Sequence, residues 1–163
     1  MFALRARGSI PPAKRPATGF TLMEILVVVI IVGILAMIAL PSYQESMRKG
    51  RRTDAKQALM SVASREEQYM LDHSTYTSNL KDLGFDVDDD EPMISEEKHY
   101  SIERVTADIA GEECDVDDAT CYVLKATPLE DSPQIDDKRC DSFSLDSSGK
   151  QYATGTDKDN CWK

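Results

Sequence analysis

Polar and apolar positions follow three successive patterns along this chain. From Phe20 to Leu40 the sequence FTLMEILVVVIIVGILAMIAL is apolar almost throughout, and Ile25–Leu40 holds 16 consecutive residues with no charged or strongly polar side chain. As a helix rising ~1.5 Å per residue, these 21 residues extend about 31 Å, which matches a bilayer hydrocarbon core of ~30 Å. The run is long enough to span a membrane.

After Pro41 the pattern becomes that of an amphipathic helix. Ala55, Leu59, Val62, Glu66, Tyr69 and Met70 recur mostly at spacings of three and four, which predicts an apolar stripe on a helix ending near Asp72. Glu66 interrupts the stripe, whose simplest use is packing on a sheet. Taken from Phe20 to Asp72, the helix has 53 residues and a length of about 80 Å. Gly33 and Pro41 are its weak points: Pro41 has no N–H to donate and its ring crowds the carbonyl of Met37, so a bend or local loosening is expected.

Beyond Gly84 the pattern shortens to alternating segments. His99–Val105 contains Tyr100 and Ile102, Cys121–Ala126 is strand-like, Arg139–Leu145 brings Phe143 and Leu145 onto one face, and Lys150–Thr154 is a short final strand. The predicted fold is α+β: a long N-terminal α-helix packed on a small antiparallel sheet of three to four strands. The 163 residues accommodate one compact domain plus an extended segment.

Charge divides the chain at nearly the same places. Residues 1–19 carry four basic and no acidic side chains, residues 20–53 four basic and two acidic, and residues 54–163 11 basic and 27 acidic; the net charge of −10 thus resolves into +4, +2 and −16. An acidic surface repels phosphate backbones, so nucleic acid is a disfavoured partner of the C-terminal part unless a local basic patch exists. Basic residues flank the apolar run on both sides, with Arg48, Lys49, Arg51 and Arg52 following it, so counting them does not orient the span.

A cleaved secretory signal fits poorly, because its apolar core is usually ~7–15 residues and Ala36 and Ala39 stand three apart rather than two, with Pro41 close behind. Glu24 is the informative residue. A carboxylate at the centre of a membrane helix costs ~2.5–3.5 kcal/mol to insert, less near the edge, and such residues are functional by default.

The segment Gly19-Phe20-Thr21-Leu22-Met23-Glu24, followed by the long apolar helix, resembles the class III signal of type IV pilins and type II secretion pseudopilins. The resemblance implies that a prepilin peptidase cuts between Gly19 and Phe20 and methylates the new amine on Phe20. It also implies that Glu24 serves recruitment into a filament. A carboxylate is costly in a water-poor filament core, and the terminal ammonium of a neighbouring subunit can offset it. In the family the helix is partly extended between the equivalents of Gly33 and Pro41, so the weak points become assembly features. The leader MFALRARGSIPPAKRPATG, with Pro11, Pro12 and Pro16, is longer than many in the family and is expected to be disordered. Its removal takes 19 residues and four positive charges from 163 residues at −10, leaving 144 residues at −14.

Two further segments resemble minor pilins of the PilE type. The helix exit reads as a tyrosine, a polar stretch and Leu-x-x-Leu-Gly, matched by Tyr76, Leu80, Leu83 and Gly84; the closing loop is matched by Cys140, Phe143, Leu145, Gly149, Cys161, Trp162 and Lys163. Major pseudopilins generally lack that cysteine-bounded loop. The four cysteines, Cys114, Cys121, Cys140 and Cys161, allow three pairings, and export implies oxidation. The expected pattern is Cys114 to Cys121, closing a turn, and Cys140 to Cys161, tying the chain's end to a strand, at roughly 3 kcal/mol each. The role of the first pair has no counterpart in the family pattern.

Metal and catalytic chemistry find little support. CxxC is absent and His73 and His99 are isolated, which disfavours zinc. Asp86, Asp88 and Asp90 have the alternate spacing of calcium ligands, yet Glu91 stands where a calcium loop needs glycine, and Asp115, Asp117 and Asp118 form a similar run; solvated acidic loops are the simpler reading. No glycine-framed serine or phosphate loop occurs, so neither an enzyme nor a cofactor is expected.

The expectation is a structural subunit of a type IV pilus, a minor pilin stored as a single-pass inner-membrane protein with a periplasmic head and then carried into an extracellular filament serving adhesion or twitching motility. Its expected partners are other pilin subunits, the prepilin peptidase, the inner-membrane assembly machinery and, before assembly, the membrane. The alternatives are a type II secretion pseudopilin and a membrane-anchored periplasmic binding module that never polymerises.

Overall fold

The computed structural model describes residues 19–89, 91–109, 112–115 and 119–163. Leader residues 1–18 and the acidic residues Asp90, Asp117 and Asp118 lie outside the described residues. The chain divides into two compact units, Met1–Pro41 and Ser42–Lys163. One α-helix, α1 (Leu22–His73), supplies residues to both and contains Gly33 and Pro41.

The start of α1 is capped. The side-chain hydroxyl of Thr21 accepts the N–H of Glu24 at 3.2 Å, and the carbonyl of Thr21 accepts the N–H of Glu24 and of Ile25 at 3.1 and 3.2 Å. Thr21-x-x-Glu24 is thus the capping-box spacing, with the acidic side chain in the first turn, where the helix dipole favours it.

Among the described residues the second unit has seven strands: β1 (Met93–Ile94), β2 (Tyr100–Arg104), β3 (Ala107–Ile109), β4 (Glu112–Cys114), β5 (Val123–Pro128), β6 (Ser142–Asp146) and β7 (Gln151–Thr154). Five of them form one antiparallel sheet in the order β1-β2-β5-β6-β7, and β3 and β4 form a separate hairpin. The sheet therefore has more strands than the three to four expected. The four strands read from alternation are β2, β5, β6 and β7. The addition is β1, two residues after Pro92 that pair Met93 with Ile102 and Ile94 with Ser101; so short a strand has no period to read.

Register puts Ile102 opposite Ala126 and Ala126 opposite Phe143, so three strands present apolar side chains at one level of the sheet. Ala55, Ala58, Leu59 and Val62 of α1 share one buried cluster with Tyr100, Ile102, Leu124, Ala126, Phe143 and Leu145. Full burial of side chains such as Leu59 and Val62 contributes about 1.5–3 kcal/mol each. The helix face continues through Glu66, which is completely buried. The residue that interrupts the apolar stripe in sequence therefore extends the packed face in space.

Candidate functional site

Within the first unit, residues Gly19–Glu24 lead into a helix whose large apolar side chains from Leu22 to Leu40 are all exposed. This helix is long and apolar enough to cross a membrane. An aqueous chain would not leave so much apolar surface uncovered; a lipid bilayer or other helices must cover it. Glu24 is the one charge in this stretch, one turn from Phe20.

In the second unit, polar ties fix α1 to the rest. Arg52 donates from Nε to Asp137 Oδ2 at 2.6 Å and from Nη2 to Asp137 Oδ1 at 2.9 Å. Asp137 also accepts from Gln134 Nε2 at 2.7 Å. This fork raises the pKa of the Arg52 guanidinium against the opposing effect of burial. Arg139 donates to Asp157 at 2.7 Å and to Glu45 of α1 at 2.9 Å, coupling the closing loop to the helix. A third tie runs from Ser95, whose hydroxyl donates to Asp54 at 2.5 Å while accepting the N–H groups of His99 and Tyr100.

Two disulfides join Cys114 to Cys121 and Cys140 to Cys161. The second bounds the closing loop, in which the Trp162 indole donates to the Tyr152 carbonyl at 2.6 Å and packs edge-on against Phe143. Gly155 sits in this loop at φ +117°, and a Cβ there would lie 2.4 Å from the carbonyl oxygen of Arg139. At the helix exit, Leu80 and Leu83 are buried and Gly84 has φ +79°. Glu66 Oε2 accepts the N–H of Thr77 at 3.2 Å. Its other oxygen has no hydrogen-bond partner, and burial raises its pKa to about 7 despite the opposing Thr77 bond and Arg104 charge.

Charge is unevenly spread on this unit. Lys49, Arg52, Lys56, Arg139 and Lys163 line one furrow of about 340 Å³ together with Asp157 and Asn160. Arg52 and Arg139 are spent on carboxylates there, leaving three lysines; burial and the Arg52 charge lower the pKa of Lys56. Elsewhere, a groove of about 690 Å³ between α1 and residues 85–88 and 91–96 is lined by Asp86 and Asp88 among other acids. Among the described residues, no three His, Cys, Asp or Glu side chains are grouped to hold a metal ion.

Local patterning could not foresee the polar ties, because Arg52 and Asp137 are 85 residues apart and Asp54 and Ser95 are 41 apart. The Thr21-x-x-Glu24 cap did have a readable signal.

Comparison with known proteins agrees with these features. A family model described as type IV minor pilin ComP, DNA uptake sequence receptor, matches residues 41–144, and a prokaryotic N-terminal methylation motif matches residues 14–40. A type II secretion system core protein G from Pseudomonas aeruginosa is 37% identical over 70 residues, 43% of this chain and 49% of that protein. A fimbrial protein of Neisseria meningitidis serogroup A is 38% identical over 66 residues, 40% of this chain and 39% of that protein. The type IV major pilin protein PilA of Myxococcus xanthus is 31% identical over 67 residues, 41% of this chain and 30% of that protein. The chain thus spans half or less of the length of these curated relatives. A solved type IV pilin from Shewanella oneidensis is 22% identical, with a TM-score of 0.40, covering 64% of this chain and 89% of that one.

Proposed function

This chain belongs to the type IV minor pilin family, and from that premise we propose that it is a structural subunit of a type IV pilus, processed by a prepilin peptidase and built into the filament through residues 20–40. The observation that carries this reading is the exposed apolar helix with Glu24 as its single charge. The membrane stores the helix, and assembly moves it from lipid into a bundle of equivalent helices. Exposing it to water on the way would cost ~0.8 kcal/mol per CH₂, so an inner-membrane assembly machinery must pass it directly from one apolar surrounding to the other. The acidic head then faces the periplasm and, in the filament, the exterior.

Processing fits the residues at the start of α1. Cleavage between Gly19 and Phe20 would place a free, methylated amine on the residue immediately before the Thr21–Glu24 cap that opens the first helical turn, and the Glu24 carboxylate of one subunit would meet the amine of another. The chain's work is assembly and not catalysis. The experiment is intact mass of the chain purified from cells: loss of residues 1–19, one added methyl and four hydrogens fewer for the two disulfides is the expected result. An unprocessed chain of full mass counts against the reading.

The type II secretion pseudopilin remains a relative by its N-terminal helix, and the disulfide-bounded closing loop favours the pilin. A second reading, capture of DNA, is supported by the family model's description as a DNA uptake sequence receptor and by one feature of this chain: the lysines Lys49, Lys56 and Lys163 share a furrow, with the Lys56 ammonium 5.9 Å from the centre of the Trp162 ring. Against it stands the −16 charge of residues 54–163. Fluorescence anisotropy with duplex DNA separates the two, since furrow binding must weaken with salt and with Lys49→Glu/Lys56→Glu.

A further inference from the structure

We propose that two copies of this chain join head to tail, the α1 face of Tyr43, Met47 and Arg51 of one copy seating in the acidic groove between α1 and residues 85–88 and 91–96 of the next.

The groove offers an apolar floor, including Met93 and Ile94, with the carboxylates of Asp86, Asp88, Glu91 and Glu96 around it. All four are exposed, and among the described residues none has an ion-pair partner in this unit. Arg65, which lies 4.0 Å from the centre of the Phe85 ring, donates to the Leu83 carbonyl at 2.9 Å rather than to these acids. Asp54, the fifth acid of the lining, is satisfied by Ser95. The site therefore calls for something both cationic and apolar.

The same unit carries that combination elsewhere. Tyr43, Met47 and Arg51 are spaced by four on α1 and so share one face, with Arg48 beside them. Tyr43 is 65% and Met47 41% exposed, and neither Arg48 nor Arg51 has an ion pair among the described residues. An aromatic and a methionine supply apolar anchors, and two guanidiniums supply forked donors that suit carboxylates. Placing such a helix face in a groove is a standard recognition mode. Because the two surfaces occupy different places on one chain, their contact is heterologous and adds copies in an open series unless the rotation closes. A groove that merely received a small cation would have no use for the apolar floor.

This inference rests on the filament reading for its place of action. The test replaces Ile94, a 44% exposed residue of the groove, with the photo-crosslinking residue p-benzoylphenylalanine in the full chain, and scores adducts separately in membranes and in detached filaments. The expected adduct has twice the chain's mass and maps to residues 43–51. Arg48→Glu/Arg51→Glu should cut its yield about tenfold, and adding Asp88→Lys/Glu91→Lys should restore it. Absence of the adduct, an adduct of different mass from another protein, or a yield indifferent to both charge reversals overturns the contact. A chain absent from filaments that still forms the adduct in membranes overturns the filament reading alone. Unchanged thermal unfolding of the variants excludes misfolding as the cause of a lost adduct, and the restoring pair is a second guard.

Discussion

The guanidinium of Arg52 and the carboxylate of Asp137 meet in a two-bond fork, 2.6 and 2.9 Å, with both side chains buried. It pins α1 to the segment that follows the short 3-10 helix Pro133–Asp136, three residues before Cys140. Burial makes the pair costly to break from one side, since the survivor is left as an uncompensated charge.

Asp137→Ala should therefore destabilise the full chain in detergent by about 3–5 kcal/mol, read as a lower urea midpoint. Removal of Asp137 leaves Arg52 with only its 3.6 Å contact to Glu45 and the Gln134 amide with only a 3.4 Å bond to the Arg48 carbonyl. Arg52→Lys should recover only part of the loss, because an ammonium cannot reproduce the fork.

Glu66 predicts a pH dependence opposite to that of most carboxylates. Its folded pKa of about 7 stands above the ordinary 4.5 because burial disfavours the charged form. Between those values the folded chain keeps a proton that the unfolded chain releases, so the stabilisation is complete below about 4.5, falls as pH rises towards 7, and is flat above. The span is on the order of 3 kcal/mol. Thermal unfolding against pH should show this decline, and Glu66→Gln should flatten it.

Gly155→Ala should destabilise by roughly 1–3 kcal/mol from its positive φ alone, and by more because the new Cβ would strike the Arg139 carbonyl, a backbone atom that cannot move aside cheaply. Gly149→Ala has the same sign of φ, +80°, but open space around it, so it should cost less. Comparing the two by thermal unfolding separates conformational strain from collision.

Sequence patterns carried most of the fold for physical reasons that also explain what escaped them. Tyr100, Ile102, Phe143 and Leu145 alternate because each strand has one face on the core, and Leu59 and Val62 repeat because one helix face does. Met93–Ile94 has too few residues to alternate, and the Ala107–Cys114 hairpin lies off the main sheet. The acidic groove comes from tertiary folding, which no local period encodes. Glu66 illustrates the limit from the other side: a charged letter in an apolar stripe marks a buried carboxylate, and only the fold around Thr77 and Arg104 accounts for it.

In the proposed function residues 20–40 assemble the chain into a filament and the charge of Glu24 directs the step. Thr21 caps α1 through the Glu24 backbone N–H, so Glu24→Gln keeps the cap and the side-chain shape while removing the charge. The decisive measurement is the amount of this variant in detached filaments relative to membranes, alongside its intact mass. The expected result is normal removal of residues 1–19 with the chain retained in the membrane and lost from filaments. Incorporation of Glu24→Gln at the unaltered chain's level would contradict it.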